Sequence, residues 1–227
     1  MRYGQSVSRL GVLAAGLLVC MGEAMACGSG KVILEDKFET LDPAWGFSEK
    51  DDTRKNGPDG LTYTLQPGDN IFLLNQAGLY NDYEVCAVFT TEAPEGAGTY
   101  VAVDVWGTNA DNVYEVDVLP VSGSYAVYRF QNKKMLKPVS LRTHDSVAKG
   151  TSAENEISVA VRGNKGTINI NGKKVTDFTG QSPEGGSLFG ANFGTLKQDS
   201  GPSTITLKTI QLRELEPSAE QASDGKE

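Results

Sequence analysis

The stretch Thr99–Leu119, TYVAVDVWGTNADNVYEVDVL, constrains this chain more than any other. It reads as two runs of strict period-two alternation joined by a polar loop. Side chains on a strand point alternately to opposite faces. Val101, Val103 and Val105 therefore share one face, and Ala102, Asp104 and Trp106 the other. In the second run Tyr114, Val116 and Val118 are the apolar set, with Glu115, Asp117 and Leu119 opposite. A third strand, Ser124–Gln131, follows the turn Pro120-Val-Ser-Gly123, and its apolar face is read as Ala126, Tyr128 and Phe130. A chain with three consecutive strands of this kind needs a second layer to cover the apolar face.

Register sharpens the chemistry. Pairing Leu119 with Tyr125 sets Glu115 opposite Arg129, and pairing Trp106 with Val113 sets Asp104 opposite Glu115. Two carboxylates directly opposite on a sheet repel each other. Such a pair needs a shared proton, a cation, or a guanidinium between the carboxylates, which Arg129 would supply. Trp106 on the same face is shaped to lie flat against a sugar ring, and Tyr125 would stand at the rim. The candidate ligand-binding residues are therefore Asp104, Trp106, Glu115, Asp117, Arg129 and Tyr125. The plainer alternative is a solvated sheet face with one cross-strand salt bridge.

Residues 1–26 have the form of a secretory signal. Arg2 and Arg9 open it, Leu10 to Met21 is an apolar run, and Ala24-Met-Ala26 is a small-residue cleavage site. The run is too short for a permanent transmembrane helix, and export to the periplasm or the medium is expected. Cys20 leaves with this segment, so Cys27 and Cys86 remain as a pair in an oxidising compartment, read as one disulfide. The competing use of Cys27 is lipidation as the first residue of the mature chain. A net charge of −8 with no basic run argues against nucleic acid and anionic membrane as partners.

The rest of the chain repeats the strand pattern. Runs at 32–38, 61–65, 71–74, 82–91, 135–142, 155–162, 166–171, 173–178, 187–194 and 204–215 are separated by Gly, Pro, Asn and Asp. Asn171-Gly172 between two runs is a strong hairpin signal. Ser48 to Asp59 reads as a loop, and the acidic stretch 216–227 as a solvated tail. Trp45 beside Pro43 reads as a core anchor, and His144, the sole histidine, as a loop residue without a nucleophile to serve. No helix-period apolar pattern of useful length occurs. The fold class is all-β, a two-sheet antiparallel β-sandwich over residues 27–215.

The order of landmarks resembles the concanavalin A-like lectin and glucanase superfamily. The points of likeness are Leu34-Glu-Asp-Lys-Phe38, Leu41-Asp-Pro-Ala-Trp45, Asn81-Asp-Tyr-Glu-Val85, Ile168-Asn-Ile-Asn-Gly-Lys-Lys-Val175, Gly185-Gly-Ser-Leu-Phe-Gly190 and the closing strand Ile205 to Leu212. Within it the chain looks most like laminin-G-type jelly rolls and bacterial 3-keto-disaccharide hydrolase-type domains. The resemblance implies a concanavalin-like jelly roll that handles carbohydrate. Laminarinase-type members carry E-x-D-x-E or E-x-D-x-x-E on a central strand, with the first Glu as nucleophile and the last as acid/base. Glu115-Val-Asp117 matches the first two positions, while Leu119 or Pro120 stands at the third. The expected function is an exported carbohydrate-binding module using this polar face. The alternatives are a glycoside-cleaving enzyme with Glu115 and Asp104 or Asp117 as its acid/base pair, and a structural or interaction protein of the envelope. A divalent cation such as calcium is compatible with the carboxylates, since hard cations prefer oxygen ligands.

Overall fold

The structure, a computed structural model, describes residues 27–47 and 53–215. Residues 1–26, read as a signal, and the acidic stretch 216–227, read as a tail, lie outside the described residues. Among these there are fourteen strands, one short 3-10 turn (Pro43–Trp45) and no α-helix. The strands are β1 (Val32–Asp36), β2 (Arg54–Gly57), β3 (Gly60–Leu65), β4 (Asn70–Tyr80), β5 (Tyr83–Glu92), β6 (Tyr100–Asn109) and β7 (Asn112–Leu119). They continue as β8 (Ser124–Gln131), β9 (Lys134–Thr143), β10 (Ser152–Arg162), β11 (Lys165–Ile170), β12 (Lys173–Thr179), β13 (Ser187–Gly194) and β14 (Ser203–Glu214). No helix among the described residues is long and apolar enough to cross a membrane.

Two antiparallel sheets stack face to face. The six-stranded sheet runs β4-β13-β6-β7-β8-β9, and the eight-stranded one β12-β11-β10-β5-β14-β3-β2. In the latter, β14 is long enough to pair its first half with β3 and its second half with β1. The alternating valines of β6 and β7 and the aromatic rings Tyr63, Tyr83, Phe89, Phe189 and Phe193 fill the space between the sheets. These are the positions that period-two reading assigns to one face, and that is why two layers close over a single core.

Local chemistry explains the turns. Asn171 and Gly172 both take positive φ, 50° and 75°, the conformation a two-residue hairpin turn requires, and they join β11 to β12. Trp45 is buried, and its Nε1–H donates to Asp36 Oδ2 at 2.7 Å, so it anchors the first strand as expected. The segment 48–59, read as loop, differs: Arg54–Gly57 forms β2 at the end of the eight-stranded sheet, paired to β3 around Gly57–Gly60. A short polar strand on a sheet edge carries no alternation signal, because neither of its faces is fully buried.

Cys27 and Cys86 are joined in a disulfide, Cα atoms 5.7 Å apart. It ties the segment before β1 to the middle of β5, across 59 residues of sequence. The same sulfur cannot also carry a lipid thioether, so the disulfide and lipidation of Cys27 are mutually exclusive. The strap has further bonds: Gly28 N–H donates to the Glu84 carboxylate, and Arg213 Nη1 donates to the carbonyls of Gly28 and Gly30. Replacing both cysteines by serine is expected to cost about 2–4 kcal/mol, from the wider unfolded ensemble. A urea titration of the wild type and the double variant measures it, and an unchanged midpoint would refute it.

A candidate acidic site on the six-stranded sheet

The outer face of the six-stranded sheet is built by register. Asp104 on β6 pairs with Glu115 on β7, as the sequence predicts, and with Gly190 on β13. One step along, Ala102 pairs with Asp117 and with Asn192. Tyr128 on β8 pairs with Glu115 and Ala126 with Asp117, while Phe72 and Leu74 on β4 pair with Asn192 and Gly190. Paired residues share a face, so Asp104, Glu115, Asp117, Asn192 and Tyr128 form one polar patch with Phe72 and Leu74 beside it. That apolar flank opens into a cleft of about 520 Å³ between Trp45, Phe72, Leu74, Leu188 and the hairpin tip Thr108–Ala110.

The patch is more buried than a solvated face would be. Asp104 is wholly inaccessible, and Glu115 and Asp117 are each 6% exposed. Asn192 Nδ2 donates to Glu115 Oε1 at 2.9 Å, Asn192 Oδ1 accepts from Asn70 Nδ2 at 2.7 Å, and Asn70 also donates to the Tyr100 hydroxyl. Both oxygens of Asp104 and Oδ1 of Asp117 are buried without a hydrogen-bond partner among the described residues.

Buried carboxylates without partners are costly as anions, so they hold protons instead. Burial, and then the neighbouring Glu115 and Asp117 charges, push the Asp104 carboxyl well above its usual range. Burial and the Glu115 charge do the same to Asp117. Burial raises Glu115 to about 7, against a smaller opposing pull from its Asn192 hydrogen bond. Burial thus favours the protonated form of these carboxyl groups, which can both donate and accept hydrogen bonds.

The structure relocates three of the candidates. The loop Pro120–Gly123 closes with Gly123 in the left-handed region (φ 69°) and pairs Leu119 with Ser124 rather than with Tyr125. This one-residue shift turns every side chain of β8 over. Tyr125 is 2% exposed and packs in the core opposite Val118, while Tyr128 and Phe130, read as core, lie half-buried on the acidic side. Arg129 pairs with Tyr114 instead of Glu115, places its guanidinium over the Tyr114 ring, and supplies no charge to the carboxylates.

Trp106 moves for a different reason. It has φ 51°, and the pairing of β6 with β7 slips between Val105 and Asn109. In this bulge the consecutive residues Val105 and Trp106 both enter the core. The Trp106 ring lies edge-on to Tyr114 and Phe178, centroids 5.1 and 5.5 Å away, and is 2% exposed. It presents no flat face to a sugar on the acidic side.

Asn192, Asn70, Tyr100 and Tyr128 are the site residues that the sequence reading missed. A correct count of the 120–123 loop would have placed Tyr128. Nothing local could have placed Asn192, because β13 lies beside β6 only through long-range pairing. Among the described residues, the one group of three potential metal ligands converging within 4.8 Å is Cys27, Cys86 and Glu156, and its two sulfurs are spent in the disulfide. The three carboxyl groups of the acidic face do not converge in this way.

No family model matches this chain, and no curated protein matches its sequence. Solved structures do match in shape. A carbohydrate-binding module from Bacillus subtilis superposes with a TM-score of 0.52 at 14% identity, over 69% of this chain and 90% of the other. A β-glucanase of Bacillus licheniformis gives 0.57 at 10% identity, over 83% and 100%. The laminarinase catalytic domain of Thermotoga maritima gives 0.58 at 8% identity, over 83% and 99%. The fold is a concanavalin-like jelly roll. At such identities the likeness is one of fold, so activity must be argued from this chain's own residues.

Proposed function

We propose that this protein is an exported carbohydrate-binding module that takes a glycan on the outer face of the six-stranded sheet. The observation that carries the reading is the convergence of Glu115, Asp117, Asn192 and Tyr128 on one sheet face beside the apolar Phe72–Leu74 cleft. Carboxyl and amide groups match the donor and acceptor pairs of sugar hydroxyls, and an apolar flank suits the C–H face of a ring. The structural neighbours that bind or cleave carbohydrates lend the reading support at the level of fold. Export is supported by the disulfide.

Binding ranks above hydrolysis for a geometric reason. Glycoside cleavage needs two carboxyl groups that both reach the substrate. Asp104 is wholly buried, and the next residue after Asp117 on this face is Leu119. One observation favours cleavage as the second reading: a Glu115 carboxyl raised to about 7 suits a general acid. The test is calorimetric titration with a panel of neutral oligosaccharides, alongside a sugar-release assay that includes 3-keto-glycosides. Asp117→Asn and Asn192→Ala are expected to weaken binding at least tenfold while the melting temperature stays within a few degrees. Binding by neither the wild type nor any variant would sink the proposal. Sugar release lost in Glu115→Gln would replace it with the hydrolase reading.

A further inference from the structure

A second groove lies at the rim of the sandwich, at one end of β7 and β8, and none of Asp104, Glu115 and Asp117 lines it. It has a volume of about 270 Å³ and runs between the ends of these strands and the segment Gln181–Pro183 that links β12 to β13. Trp106 and Tyr114 line it, together with the polar side chains of Asn112, Arg129, Gln131 and Gln181. Arg129 is the one charged residue of the lining, which contains no Asp or Glu.

The arginine is held in place. Its guanidinium sits 5.2 Å from the Tyr114 ring centroid, and its Nη2 donates to Gln181 Oε1. Gln181 is fixed in turn, because its backbone N–H donates to the Tyr114 hydroxyl at 3.1 Å. No carboxylate of the described residues forms a salt bridge with Arg129, whereas Lys31, Lys174 and Lys208 each have one. A half-buried guanidinium, positioned by an aromatic face and an amide, keeps most of its five donors unspent. Trp106 adds a second unspent donor: its Nε1–H is buried without an acceptor. In a chain of net charge −8, a groove lined by one cation, no carboxylate and an indole N–H without an acceptor is suited to an anion.

We propose that this rim groove binds the carboxylate-bearing ring of an acidic sugar. Arg129 takes the carboxylate in its planar fork, while Asn112, Gln131 and Gln181 take ring hydroxyls. The site is separate from the neutral-glycan site on the acidic face and does not depend on it.

The two indole N–H resonances make the test direct, because Trp45 donates to Asp36 inside the core and serves as an internal reference. Glucuronate, glucose and sulfate are titrated into the full protein at low salt, with nitrogen–proton correlation spectra recorded. Glucuronate is expected to shift the Trp106 indole signal saturably and leave that of Trp45 in place. Glucose at the same concentration should not shift it. Arg129→Gln is expected to weaken glucuronate binding at least tenfold, and Gln181→Ala should weaken it less, both with native-like spectra. Asp117→Asn should leave it unchanged, which separates this site from the one on the acidic face. Equal binding of sulfate and glucuronate would overturn the sugar assignment. Glucuronate binding that survives Arg129→Gln, or no shift at all, would overturn the site.

Discussion

Trp106→Ala is expected to lower folding stability by about 3–5 kcal/mol, the range for truncating a buried large aromatic side chain. The indole is 2% exposed and packs against Tyr114 and Phe178, and Gly180 closes over it. A Cβ added at Gly180 would come 2.1 Å from Trp106 Cζ3, so the glycine is there to seat the ring. Gly180→Ala should therefore destabilise as well, by overpacking the same spot, at about 1–3 kcal/mol. Chemical denaturation followed by circular dichroism measures both. An exposed sugar-stacking tryptophan would behave in the opposite way, with Trp106→Ala leaving the midpoint where it was and abolishing ligand binding alone. That result would show that the bulge at Val105–Trp106 does not turn the ring inward.

Stability should fall as pH rises through the neutral range, and Asp104→Asn should restore it. The carboxyls of Asp104, Glu115 and Asp117 all have folded-state values above their unfolded ones. Below the unfolded carboxylate range both states are protonated and folding carries no penalty. As pH rises, the unfolded chain releases its protons first, so stability declines until the folded groups also ionise. For Glu115 that window runs from 4.5 to about 7. Its width corresponds to about 3 kcal/mol at 1.36 kcal/mol per unit. Asp104 and Asp117 deepen the decline and extend it upward, the three carboxyls titrating as one interacting set. Asn at 104 keeps the shape, removes the most deeply buried of the three titrating carboxyls, and brings an amide N–H to the position opposite Glu115. The expected results are a melting temperature several degrees above wild type at pH 8, little difference at pH 4.5, and a shallower slope between. A wild-type melting curve that is flat or rises from pH 5 to 8 would mean that the carboxyls find partners in solution.

The sequence by itself determined the fold class, because period-two alternation survives any error in pairing. Val101, Val103, Val105, Tyr114, Val116 and Val118 are core in any arrangement that buries one face of their strands. The Asp104–Glu115 opposition was legible too, since a single hairpin sets it. So was the pairing of Cys27 with Cys86, which follows from having two cysteines left for an oxidising compartment. Which residues accompany the carboxyl groups was decided only by the tertiary structure. One residue in the count of the Pro120–Gly123 loop moved Arg129 and Tyr125 off the acidic face and Tyr128 onto it, because side-chain direction on a strand has a period of two. A left-handed residue at Trp106 sent its indole inward. That conformation is favourable only because Tyr114, Phe178 and the bare backbone of Gly180 wait there to receive the ring. Asn192 reached Glu115 through a strand pairing that spans most of the chain, and no local pattern encodes such a partner. Alternation is a property of each strand alone, whereas a site is a property of which strands lie side by side.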